Sequence, residues 1–126
     1  MVDLPVMKPC EFIGSARDDL SAMPLEVKRA FGFAIRAAQR GSKHPDAKPL
    51  KGFGGAGVLE VVEDFDGDTY RAVYTVKFAG MIYVLHAFKK KSKKGSKTPQ
   101  PDMKLIASRL KTAQDRYDAL TKKKPV

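Results

Sequence analysis

Apolar positions change their period along the chain. Val27, Ala30, Phe31, Ala34, Ile35 and Ala38 recur three or four apart, which puts them on one face of a helix. Pro24 suits the first helical position, and Gly41 suits the residue that follows the last turn. Upstream, Ser15 and Asp18 form a capping signature that opens a short helix reaching about Met23. The apolar run around Phe12 and Ile13 predicts a first strand within 8–14. The two helices form a hairpin in this reading.

From Val58 the pattern changes to that of strands. Residues 58–64 are rich in β-branched side chains and stop before Asp66-Gly67, the dipeptide of a two-residue hairpin. Residues 69–78 form the next strand, and Ala79-Gly80 turns the chain again. Residues 81–90 form the last strand, apolar on both faces at its start as a central strand is. The preceding stretch 42–57 reads as a loop from its Pro, Gly and Lys content. A basic loop covers 89–101. Pro99 or Pro101 then begins a helix whose stripe is Met103, Ile106, Leu110, Ala113, Tyr117 and Leu120. That stripe buries against the chain's own sheet or against a partner. The tail 121–126 is expected to fray. The element order β-α-α-β-β-β-α predicts an α+β fold, with helices packed on an antiparallel-dominated four-stranded sheet in one domain spanning 1–126.

Composition adds a direction to this picture. The chain has 126 residues, 43% of them hydrophobic, which suits a globular core. Its net charge of +10 is unevenly placed: residues 1–88 hold 11 basic and 11 acidic side chains, and residues 89–126 hold 13 basic and 3 acidic. A one-sided basic block fits a polyanionic partner, and a solvated lysine-rich tail is the plainer alternative. The single cysteine, Cys10, excludes an internal disulfide framework and a cysteine zinc cluster. No apolar run approaches the ~20 residues of a membrane span. The first residues lack a basic region followed by a long apolar stretch. These features lead to the expectation of a cytoplasmic protein without a membrane association.

Several motifs lose their apparent chemistry on inspection. The GFGGAG stretch at 52–57 lacks the Gly-Lys-Ser/Thr of a phosphate loop and precedes a strand. Asp64, Asp66 and Asp68 resemble the start of a calcium loop, but Thr75 stands where a glutamate is needed, so they read as a hairpin turn. His44 and His86 are the only histidines and have no third ligand pattern, so no metal and no cofactor are expected. His86 is either a satisfied core histidine or a proton-transfer group beside the lysine run.

One constellation remains. Strand alternation puts Arg71 and Val73 on one face and Tyr70 and Tyr74 on the other. The neighbouring strand ends in Phe88-Lys89-Lys90-Lys91-Ser92. A guanidinium beside emerging lysines supplies a phosphate grip and stabilises developing negative charge. Alternatively, Arg71 is a strand residue paired with Glu60 or Glu63.

The sequence also resembles a known family. Lys48-Pro49-Leu50-Lys51-Gly52-Phe53-Gly54, Leu59-Glu60-Val61, Asp68-Thr69-Tyr70-Arg71-Ala72-Val73-Tyr74, Leu85-His86-Ala87-Phe88-Lys89-Lys90-Lys91-Ser92 and Lys97-Thr98-Pro99 are similar to the phage-derived, HigB-like branch of the RelE toxin superfamily. The resemblance covers over half the chain. It implies a compact RelE-like ribonuclease fold and a helix-turn-helix antitoxin partner. It also implies metal-independent cleavage of messenger RNA, commonly on the ribosome, by attack of the RNA's own 2′-hydroxyl. By the same pattern, Arg71 and Lys91 are catalytic, with His86 as a candidate for proton transfer, and Lys89, Lys90 and Lys94 bind RNA. Where the family often carries Glu-Leu-Arg, this chain has Glu60-Val61-Val62. The alternative is a non-catalytic module that binds RNA, DNA or the ribosome through the same basic face.

Overall fold

A computed structural model describes residues 7–54, 57–90 and 97–122. Its elements are β1 (Cys10–Phe12), α1 (Ala16–Ser21), α2 (Leu25–Gln39), β2 (Lys48–Pro49), β3 (Val58–Phe65), β4 (Asp68–Thr75), β5 (Ile82–Lys90) and α3 (Gln100–Thr121). The fold class is α+β, as expected. The sheet has five strands in the order β1-β5-β4-β3-β2, not four. β1 runs parallel to β5, and the other three pairings are antiparallel. The additional strand, β2, lies inside the stretch read as a loop and pairs Lys48 with Glu60 and Pro49 with Leu59.

Helices cover both faces of the sheet. On one face, Val27, Phe31, Ala34 and Ala38 of α2 bury against Leu59, Val61, Ala72 and Val84. On the other, Ile106 and Ala113 of α3 are fully buried against Val58, Val73, Tyr83 and Leu85, with Met103, Leu110 and Tyr117 half-buried beside them. The stripe of the last helix is thus core for its own chain, except Leu120, which is exposed. Burying each large apolar side chain contributes roughly 1.5–3 kcal/mol.

The turns follow the local chemistry closely. Asp66 and Gly67 both have positive φ, at 52° and 82°, the conformation a two-residue hairpin requires. Gly41 closes α2 at φ 84°, with its N–H bonded to Ala38 and that of Ser42 to Ala37. Three local expectations are corrected. Ser15 sits at the N-cap of α1, but its hydroxyl bonds the Asp19 carboxylate at 2.7 Å and makes no cap to the backbone. Pro24 occupies the N-cap of α2 with ψ 149°, not the first helical position. α1 packs chiefly along β5 and does not close a helical hairpin on α2.

One irregularity in the ladder positions the site. Val73 pairs with His86 while Tyr74 pairs with Val84, so Leu85 is an extra residue in β5. This β-bulge puts Leu85 and His86 on the same face, toward α3, and resets the alternation for the rest of the strand. Phe88 and Lys90 then face α3, while Ala87 and Lys89 face the other way. The Arg109 guanidinium donates to the Leu85 carbonyl at 3.0 Å.

Candidate functional site

The C-terminal half of β5, the middle of β4 and the start of β3 bring ionisable groups together beneath the first turn of α3. Arg71 on β4 is 4% exposed, and its Nη1 donates to Glu60 Oε2 on β3 at 3.0 Å. Thr98, just before α3, donates its hydroxyl to the same carboxylate oxygen at 2.8 Å and lies 3.4 Å from Arg71 Nη1. Of the two readings left open by the sequence, the Glu60 pairing of Arg71 is present. Arg71 does not itself line the adjoining groove. Glu60 and Thr98 stand between it and the open space.

Lys90 completes the cluster. It is 7% exposed, and its ammonium donates to the Lys97 carbonyl. Burial, then the Arg71 charge, pull its pKa below the ordinary lysine value, while Glu60 opposes the fall. This has a testable consequence with a definite sign. Below the lowered value Lys90 is protonated in both folded and unfolded chains, and its contribution to stability does not change with pH. Between that value and 10.5 the unfolded chain holds more protons, so stability rises with pH. Urea unfolding of wild type and Lys90→Met from about pH 8 to about pH 10 should show the difference, wild type minus variant, growing in favour of wild type. A constant difference would mean that the ammonium titrates as it does in water.

Of the lysines read together from the sequence, Lys89 and Lys90 lie on opposite faces of the sheet. Lys89 points to the opposite face, where it is exposed and lies 3.3 Å from the Asp68 carboxylate. Lys90 is buried, not displayed to solvent as an RNA-binding residue would be. Lys91 and Lys94 lie outside the described residues. His86 is buried, its Nε2 2.7 Å from Asp102 Oδ1 on α3 and its ring stacked on Phe88 at 4.6 Å. The His86–Asp102 contact fastens the first turn of α3, and with it Thr98, over the sheet. His86 is held through Nε2 alone, its buried Nδ1 lacking a hydrogen-bond partner, and it is absent from the lining of this groove.

Sequence reasoning missed the cations that do line the groove. Between β2 and the start of α3 lies an open cavity of about 390 Å³, rimmed by Lys48, Lys51 and Lys97, with Glu60 and Thr98 at its inner wall. Lys48 pairs with Glu60 in the sheet, which places both on one face. The only early trace of these residues was their presence in the family-like stretches, since β2 itself has no strand signal. Val62, paired with Arg71 across the ladder, is 39% exposed where the resemblance expects a basic residue. Among the described residues no three His, Cys, Asp or Glu side chains converge as metal ligands, and no helix is long and apolar enough to cross a membrane.

Comparison with known proteins places this arrangement in context. Residues 18–111 match the family described as Phage derived protein Gp49-like (DUF891). The matched segment contains β2 to β5 and the first turns of α3, and so the whole cluster around Arg71. No curated protein matches the chain. Among solved structures the chain is similar to the toxin–antitoxin complex RelBE2 from Mycobacterium tuberculosis, at 23% identity and a TM-score of 0.44, over 72% of this chain and 100% of that one.

Proposed function

The chain belongs to the phage-derived Gp49-like family, and from that premise we propose that it is the toxin of a toxin–antitoxin pair, an RNA-cleaving enzyme. The observation that carries the reading is the lysine-rimmed groove with a carboxylate at its inner wall and a buried guanidinium paired to that carboxylate from behind. Lys48, Lys51 and Lys97 neutralise backbone phosphates. Glu60 takes the proton of the attacking 2′-hydroxyl as its oxygen bonds to the adjacent phosphorus. The bond from phosphorus to the 5′-oxygen breaks, that oxygen takes a proton from one of the groove ammoniums, and a 2′,3′-cyclic phosphate remains. Arg71 releases Glu60 and turns its planar fork to the phosphate, stabilising the charge that develops there. Lys91, next along the chain from Lys90, shares that role. Messenger RNA held by the ribosome is the substrate, because external positioning supplies what a site with few acid–base groups lacks. The neutralising partner is an antitoxin, of the helix-turn-helix class, that lays acidic residues over the groove lysines.

Induced expression in a bacterial host should arrest growth and create new messenger RNA 5′ ends inside reading frames. Co-expression of an acidic partner encoded beside this gene should restore growth. Unchanged 5′ ends in cells that accumulate soluble protein would overturn the proposal. Val62 favours a second reading, in which the same groove binds RNA without cutting it. Its mark is growth arrest with intact transcripts.

A further inference from the structure

The groove has a second half that phosphate chemistry does not use. Below the lysine rim its wall is apolar, formed by the side chains of Leu50 and Met103. Leu50 is buried in the α3-side core, and Met103 packs half-buried against the same cluster. The wall is fixed from beneath. Gly52 has φ +99°, and a Cβ there would come within 3.0 Å of the Met103 methyl, so that methyl lies close over the backbone of 52. Gln100, exposed at the start of α3, brings a side-chain amide to the mouth of this slot. A cavity of about 390 Å³ with an apolar floor and a few polar groups at its edge is of the size and character that holds a small planar ligand.

We infer that this half of the groove is a nucleobase subsite, in which one RNA base rests on Met103 and Leu50 while Gln100 reads its edge. The inference rests on the reading of the groove as an RNA site and goes beyond it by making the site selective for base identity. An amide carries both donors and an acceptor, as the edge of a base requires. Apolar contact with the faces and hydrogen bonds at the edge are how an unstacked base is held. Lys48, Lys51 and Lys97 around the slot neutralise the phosphates on either side of that base. An acidic peptide would satisfy the lysines but leave the apolar floor and the amide without a role.

The test uses the full chain with ¹³C-labelled methionine methyls, the Met103 signal being assigned through Met103→Ala. The four nucleoside 3′-monophosphates, ribose 5-phosphate and a poly-glutamate peptide are titrated separately. In parallel, wild type and Gln100→Ala are given ribosomes programmed with a randomised message pool, and the bases flanking each cut are counted. Nucleotides should shift the Met103 methyl and ribose 5-phosphate should not. Gln100→Ala should reduce base discrimination beside the cut by about tenfold, the effect of losing one edge contact. Nucleotides that leave the methyl unmoved, together with an unchanged base preference in Gln100→Ala, would overturn the subsite while leaving RNA cleavage intact. A methyl that responds to poly-glutamate and to no nucleotide would also overturn it, in favour of protein docking. A methyl that responds to nucleotides in a protein that cuts nothing would sustain the subsite and sink the ribonuclease reading.

Discussion

Arg71→Lys is expected to lose 10²–10³ of cleavage rate while remaining folded, the usual loss when one transition-state contact is removed. Charge is retained in this substitution, so a simple electrostatic role would survive it. What is lost is the planar fork, which engages two phosphate oxygens at once and which an ammonium cannot reproduce. Binding to bulk RNA should weaken little, because Lys48, Lys51 and Lys97 still rim the groove. Replacing those three lysines with glutamine should do the reverse, reducing affinity and flattening its dependence on salt. Single-turnover cleavage on programmed ribosomes, with binding measured across a salt series, separates the two classes of effect. A folded Arg71→Lys protein that cleaves like wild type would leave Arg71 as the structural partner of Glu60 and nothing more.

The second large effect concerns stability. Glu60→Ala should destabilise the fold by about 3 kcal/mol, because it removes the carboxylate paired with the buried Arg71 guanidinium beside Lys90. For a domain of this size that corresponds to a fall in Tm on the order of 10 °C. Thr98 loses its acceptor in the same change, so the entry to α3 loosens as well. Glu60→Gln keeps the shape and an accepting oxygen, and should cost less stability while removing the proton acceptor. Adding Arg71→Met to Glu60→Ala should recover part of the loss, since the buried charge that lost its carboxylate is then gone. Thermal and urea unfolding of the four proteins tests this. A Glu60→Ala protein within about 0.5 kcal/mol of wild type would mean that the pair behaves as a screened surface contact.

Much of this fold was legible because its main helices and strands are locally specified. The stripes of α2 and α3 are periodic over several turns, and Asp66-Gly67 marks its hairpin without reference to the rest of the chain. β2 was hidden for the opposite reason. It is two residues long, contains a proline, and exists only because Lys48 and Pro49 meet β3 across the sheet. The site was half legible. Arg71 was singled out, and its pairing with Glu60 was one of two readings that alternation alone could not separate. The partnership of His86 with Asp102 spans two elements and depends on where α3 docks, which no local pattern records. In the lysine run, identical residues look equivalent in sequence, yet strand geometry sends Lys89 outward and Lys90 into the cluster.

The extra residue at Leu85 works as a parity bit for β5. Side-chain alternation has only two states, and one inserted residue flips every position on one side of it relative to the other. With the insertion, core packing before Leu85 and the charged cluster after it are each in phase with α3. Were the same residues laid out as a regular strand with no bulge at Leu85, the odd and even positions of 86–90 would exchange faces, and Lys89 in place of Lys90 would meet Arg71 and Glu60. His86 would turn from Asp102 toward α2. A relative lacking Leu85 would need no bulge, and would keep His86 opposite Val73 and Lys90 on the α3 face in a regular ladder.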